Sequence, residues 1–337
     1  MDKIGIAIVG LGYWGPNLVR NFVASEKWQI RYVVDNDPSR LSKITTTYPG
    51  MVGTSDFARV LDDESVHAVA IATPPHTHFE LAQRALLRGK HLLVEKPLCL
   101  GARKADELVE IAARQSRVLM VDHTFLYTGA VEKLRDLVKR GEFGRIYYID
   151  SVRINLGLFQ LHASVIEDLA PHDISIFNYL LDESPVKVAA STTRCVDDSV
   201  ADAAYITLKY GSGAIAHAHL SWISPVKVRK TMVAGSRLMA IWDDVEPSEK
   251  IRIYDKGVDY LPSDEARAKA QISYRSGDVL IPAIDTTEAL QKVIVDFARS
   301  ISLGCPPQAD GLAGAAVVRV LEAAEASSVA GGAFVDI

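Results

Sequence analysis

Cysteine is scarce. The 337 residues hold three, Cys99, Cys195 and Cys305, far apart and odd in number. No CxxC pair and no Cys/His cluster occurs, which argues against a disulfide framework or a zinc knuckle and fits a reducing compartment. Excess positive charge is also missing. The 37 basic and 42 acidic residues leave a net charge of −5, so nothing electrostatic recruits nucleic acid. Long apolar runs are missing too. The longest near the N-terminus, "IGIAIVG" (Ile4–Gly10), is far short of the roughly 20 residues of a membrane span and lacks a signal-peptide layout. A cytoplasmic protein with no membrane partner is expected. No internal repeat or low-complexity tract breaks the chain. What is present is an ordinary globular composition, 48% hydrophobic and 23% charged, at a length that favours two domains.

The first third alternates short apolar runs with helical stretches. "IGIAIVG", "IRYVVD" (30–35), "VHAVAIAT" (66–73), "HLLVEK" (91–96) and "RVLMVD" (117–122) read as strands buried on both faces. Helices are expected over 15–25, from Pro38, over 79–88 and around 104–115. That alternation is the pattern of a parallel sheet covered by helices on both sides. Beyond Asp122 the pattern changes to helices at 130–140 and about 168–181 among longer alternating strands, such as "RIYYIDSVRI", "AAYITLKY" and "GAIAHAHLSW". Short turns between them predict antiparallel pairing. Two helices return near the C-terminus. The expected fold is α/β: a Rossmann domain over 1–122, then an α+β domain over 123–337 with a large open, mostly antiparallel sheet.

The turn after the first strand reads "GLGYWGPN". Gly10, Gly12 and Gly15 have G-x-G-x-x-G spacing between a strand and a helix, the arrangement that lets a backbone approach a pyrophosphate at a helix N-terminus. Twenty residues after Gly15, Asp35 closes the second strand, where a carboxylate accepts from ribose hydroxyls and repels a 2′-phosphate, favouring NAD. Arg40 leaves NADP open, although a solvated helix charge is its plainer role. Tyr13 and Trp14 are expected to line the cofactor channel toward the nicotinamide. "ATPPHTH" (72–78) leaves the third strand through two prolines, a stiff loop at the strand end where ligands of such sheets bind. Thr73, Pro74 and His78 are therefore cofactor candidates.

With "EKPL" (95–98) added to these motifs, the chain resembles the Gfo/Idh/MocA oxidoreductase family. "VLMVDHTFLY" (118–127) is similar to that family's crossing into its second domain. "EDLAPHDISI" (167–176) resembles its catalytic helix, and "PPQADGLAGAAVVRVLEAAEAS" its C-terminal signature. The resemblance covers essentially the whole chain and is best to the nucleotide-sugar 3-dehydrogenase branch. It implies that Lys96 contacts the substrate, its reacting hydroxyl and the cofactor, that Glu95 lies near the nicotinamide ribose, that His123 is a further cofactor contact, and that His172 and Asp168 form the catalytic pair and touch the substrate. Glu167 and Leu126 depart from that branch, where tryptophan and arginine are common.

These residue types suit alcohol oxidation, which needs a proton acceptor and a stabiliser for developing alkoxide while the cofactor takes hydride. Asp168 and His172 are four apart and share a helix face. Pro171 between them fits if it lies near the first turn. Tyr127, Arg153, Asn155 and Gln160 are candidate substrate contacts, Arg153 as a diphosphate partner. His217 and His219 point the same way from a strand, for packing or an interface rather than a metal.

The implied reaction is NAD-dependent oxidation at C3 of a nucleotide sugar such as UDP-N-acetylglucosamine or its uronate. A downstream PLP aminotransferase would then consume the 3-keto product. Alternatives are a nucleotide-deoxysugar 3-ketoreductase, a free-sugar or inositol dehydrogenase, or an NAD-sensing regulator. A homodimer or homotetramer through the second sheet is expected.

Overall fold

The computed structural model describes residues 3–157, 159, 163–260 and 272–337. The chain divides into two compact units, residues 1–128 with 287–322, and residues 129–286 with 323–337.

In the first unit, the doubly buried apolar runs become β1 (Ile4–Val9), β2 (Trp28–Val34), β4 (Ala68–Ile71), β5 (His91–Glu95) and β6 (Leu119–Asp122), with β3 (Val52–Thr54) at one edge. All pair in parallel, in the order β3-β2-β1-β4-β5-β6, the doubly wound arrangement. Helices α1 (Gly15–Ala24), α2 (Pro38–Thr47), α3 (Phe57–Asp62), α4 (Pro75–Leu87) and α5 (Ala102–Arg114) connect them. Neither β3 nor α3 follows from a periodic apolar pattern. β3 is three residues, partly exposed around Gly53, and α3 is six residues nucleated by Asp56 accepting from the Arg59 N–H. Helix α4 starts four residues earlier than expected. Pro75 occupies its first turn and Pro74 its cap, positions where a missing N–H is no loss.

The division also departs from the expected boundary at 122. A short 3₁₀ turn (Thr124–Tyr127) precedes the second unit, and α8 (Ala289–Leu303) belongs to the first. Trp28 stacks on Phe297 at 5.2 Å and donates its indole N–H to the Ile294 carbonyl at 3.2 Å, while Arg20 pairs with Glu288 at 2.6 Å. Periodicity shows that α8 has an apolar stripe, Leu290, Val293, Ile294 and Phe297. It does not say which surface receives that stripe. The Val121 N–H donates to Ala309 O at 2.9 Å, covering the free edge of β6, as an edge strand requires.

The second unit holds α6 (Gly129–Lys139), β7 (Ile146–Leu156), α7 (Val165–Leu181), β8 (Pro185–Thr193), β9 (Ala203–Tyr210), β10 (Ile215–Ser221), β11 (Ile223–Gly235), β12 (Met239–Asp243), β13 (Ile251–Tyr260), β14 (Ile272–Leu280) and β15 (Val335–Asp336). Helix α9 (Gly311–Val329) runs through the division at 322. The sheet order is β14-β13-β12-β11-β7-β10-β9-β8-β15. Among the described residues only β7 and β10 pair in parallel in this sheet, so the expectation of a mostly antiparallel sheet is met. Alternation puts Ile149, Ser151 and Arg153 of β7, and Ala216, Ala218 and Leu220 of β10, on the buried face, against which α7 packs.

Helix α7 begins with a capping box: Ser164 accepts from the Glu167 N–H, and Glu167 accepts from the Ser164 N–H. The S-x-x-E spacing signals this start. It puts Pro171 two turns in, not in the first turn as expected. There it is buried and removes the N–H that the Glu167 carbonyl would otherwise receive.

Candidate active site

The glycine turn divides its three glycines by task. Gly10 has φ +92°, and a Cβ there would sit 2.6 Å from the Ala72 carbonyl oxygen. A Cβ on Gly15 would lie 2.0 Å from the Gly10 oxygen. Both positions are closed by the protein's own backbone. Gly12 differs, for its nearest neighbour would be Arg40 Nη1 at 3.8 Å, which leaves an open approach to backbone. Trp14 caps α1 without a side-chain hydrogen bond, and the first turn holds no acid, so its N–H groups and positive dipole end favour an anion. Gly12→Ala is therefore expected to leave stability within about 0.5 kcal/mol while weakening NAD binding about tenfold or more through overpacking. Gly15→Ala is expected to lower stability by about 1–3 kcal/mol. Thermal melts and calorimetric titration separate the two.

Asp35 is nearly enclosed. Its two oxygens accept from the Leu11 N–H at 2.7 Å and the Asp37 N–H at 2.8 Å, which ties the end of β2 to the glycine turn. Arg40, a cofactor candidate whose plainer role is a solvated helix charge, stays half-exposed, 3.7 Å from Asp35 and 3.4 Å from Asp37. Tyr13 is 82% exposed. Trp14 turns inward, its indole N–H 3.5 Å from Asp122 Oδ2.

At the carboxyl ends of β5 and β6 the structure gathers Glu95, Lys96, Asp122 and His123. Glu95 and Asp122 are register partners on adjacent parallel strands, which brings their carboxyl groups side by side. Burial, then the facing Asp122, pushes the Glu95 pKa well up, and burial raises Asp122. His123 is 1% exposed, and burial lowers it to about 4, so its ring is neutral near pH 7. Both His123 nitrogens and Glu95 Oε1 are enclosed with no hydrogen-bond partner among the described residues. Enclosed polar atoms of this kind call for a ligand's donors and acceptors, and the open Gly12 backbone calls for its phosphates. The residues present fit NAD.

Three expected contacts have internal partners. His78 is fully buried, its ring nitrogens 2.9 Å from Pro97 O and 2.8 Å from Thr73 O. It ties two strand-end loops together, while Thr73 itself pairs with the Thr77 hydroxyl at 2.6 Å and Pro74 sits at the cap of α4. Tyr127 is 3% exposed and donates to Asp296 at 2.7 Å. It thereby anchors α8 in the first unit's core. Arg153 is buried in a two-pronged ion pair with Asp173 (2.8 and 3.1 Å), and Ser151 donates to the same carboxylate at 2.7 Å. Its guanidinium is thereby tied to α7. Pattern reading missed these roles because the partners lie 169 and 20 residues away in sequence.

In the second unit, α7 carries Asp168 and His172 one turn apart. Asp168 Oδ2 accepts the Trp222 indole N–H at 3.2 Å, and Trp222 packs edge-on against Phe159 at 5.4 Å. The His172 carbonyl accepts from Ser175 Oγ at 2.8 Å. Asn155 is half-buried beside Gly157 on the end of β7. Gln160 lies outside the described residues. Asp122, Trp222 and Asp173 were not foreseen. Asp122 did have a signal, since an acid ends its apolar strand much as Asp35 follows β2.

Residues 4–123 match the oxidoreductase family with an NAD-binding Rossmann fold, and residues 131–241 match the GFO/IDH/MocA C-terminal domain. The chain belongs to the Gfo/Idh/MocA family. It is thus an NAD-dependent oxidoreductase. It is 28% identical to the UDP-N-acetylglucosamine 3-dehydrogenase of Acidithiobacillus ferrooxidans across 99% of both chains. A crystal structure of that enzyme superposes with a TM-score of 0.80 at 25% identity, covering 97% of this chain and 99% of that one. GenD2 from gentamicin A biosynthesis, solved in complex with NAD, shares the fold, with a TM-score of 0.83 at 22% identity over 100% and 97% of the two chains. Among the described residues no helix is long and apolar enough to cross a membrane.

Proposed function

We propose that the protein oxidises the C3 hydroxyl of a nucleotide sugar, UDP-N-acetylglucosamine or its uronate, to a 3-keto sugar. NAD supplies the hydride acceptor. The observation that carries this reading is α7, whose Asp168 and His172 share one face on either side of an interior proline in a chain similar over 99% of its length to a UDP-N-acetylglucosamine 3-dehydrogenase. His172 takes the proton of the hydroxyl as general base. Asp168, held by Trp222, orients that imidazole and stabilises its cation. Lys96 places an ammonium against the developing alkoxide, where a fixed positive charge lowers the barrier most. Asn155 and, outside the described residues, Gln160 are assigned to the sugar.

A 3-keto sugar is a carbonyl substrate for a PLP aminotransferase, the class of enzyme that would consume the product. The reading includes a homodimer or homotetramer, built on the sheet face opposite α7. There Tyr148, Tyr205 and Ile215 are exposed and Tyr205 stacks on His219 at 4.4 Å.

Incubation with NAD and a panel of UDP-sugars, dTDP-sugars and free polyols tests the function. NADH absorbance and a product mass two hydrogens lighter are expected with UDP-N-acetylglucosamine or its uronate, with a coupled aminotransferase to draw off product. Turnover of polyols alone overturns the nucleotide-sugar assignment. NAD binding without turnover of anything in the panel points to a sensor.

A further inference from the structure

Two carboxyl groups can hydrogen-bond each other only when a proton lies between them. Glu95 and Asp122 are placed to do so at the ends of neighbouring strands. Asp122 is the centre of the cluster. Its Oδ1 accepts from Thr124 Oγ1 at 2.7 Å, and its Oδ2 faces the Trp14 indole N–H at 3.5 Å. Asp122 is 1% exposed, so water does not compete for that proton. In a doubly wound sheet of this strand order, a dinucleotide lies across the carboxyl ends of the strands. With Asp35 at the β2 side, the nicotinamide half falls to β5 and β6.

We propose that Glu95 and Asp122 hold one proton between them and release it to solvent on binding NAD+, but not on binding NADH. This rests on the NAD assignment above. The two dinucleotides differ at the nicotinamide by one positive charge. A cation beside a buried carboxyl pair favours its ionised form, whereas a neutral ring only adds to its burial. The other groups facing the pair do not supply that charge change. Lys96, the residue after β5, is the same neighbour with either dinucleotide. His123, next along β6, is held neutral by burial. Trp14 and Thr124 are neutral, and His78 on α4 is fully buried against Pro97, its pKa lowered by burial. Asp122 thus becomes a positioning residue of the cofactor site, acting through Glu95.

Calorimetric titration of NAD+ and NADH in buffers of different ionisation enthalpy tests this without turnover. The expected result is release of close to one proton with NAD+ and none with NADH. NAD+ affinity then rises with pH, by up to about tenfold per unit, while NADH affinity stays flat. Asp122→Asn is expected to bind both dinucleotides and to release no proton. In the wild type, the infrared carbonyl stretch of a protonated carboxyl should vanish with NAD+ and persist with NADH, a readout independent of how well the variant folds. Equal proton release with both dinucleotides, or release that survives Asp122→Asn, overturns the inference and leaves the NAD assignment standing. Binding of neither dinucleotide to the wild type overturns both.

Discussion

His172→Ala is expected to lower kcat/KM for the sugar about 10²–10⁴-fold, the usual contribution of a positioned general base, with NAD affinity unchanged. The reasoning runs from the helix. The capping box at Ser164 and Glu167 sets where α7 begins, and four residues separate Asp168 from His172, so one face presents both. Trp222 holds one Asp168 oxygen at 3.2 Å, which limits how that carboxylate turns. With the imidazole gone, no group at that position takes the hydroxyl proton. The acid limb of the kcat/KM profile, which reports ionisation of the free enzyme's base, should flatten. Steady-state kinetics across pH, beside NAD titration, is the measurement. A variant within tenfold of wild type that keeps its acid limb would remove His172 from the mechanism.

Arg153→Ala is expected to destabilise the second unit by about 3–5 kcal/mol, because it leaves Asp173 buried with its charge uncompensated. The Asp173 side chain is 0% exposed and that of Arg153 6%. Ser151 remains as a single donor, too little for a buried carboxylate. Replacing both partners with apolar residues, Arg153→Met with Asp173→Leu, should recover most of the loss, since a buried ion pair is often matched by packing of similar volume. Denaturant unfolding of the two variants measures this. A diphosphate ligand at Arg153 would behave oppositely, with unchanged stability and a raised KM for the nucleotide sugar. Asp173 adjoins His172 on α7, so Arg153→Ala should also cost turnover by loosening the helix that carries the base.

The cofactor half was legible in sequence because its determinants are local. Three glycines, a strand before them and an acid at the end of the next strand lie within 32 residues of Ile4. Each has a backbone reason to be where it is, down to the 2.0 Å clearance that only Gly15 permits. Asp168 and His172 were legible for the same reason, through helical spacing. Pro171 misled, since a rule about helix interiors took precedence over the capping signal seven residues before it.

By itself the sequence determined the strand and helix types, the parallel and then antiparallel character of the two sheets, the phosphate-binding turn and the family. All of these are written in periods of two and 3.6 and in short motifs. Tertiary structure alone decided which polar side chains are available for chemistry. Tyr127, His78 and Arg153 look reactive as letters, and folding gives each an internal partner. Asp122 looks like the end of a strand, and folding gives it Glu95 as a neighbour. Burial is the reason. A charged or polar group withdrawn from water must find a partner, and only the completed fold says which one.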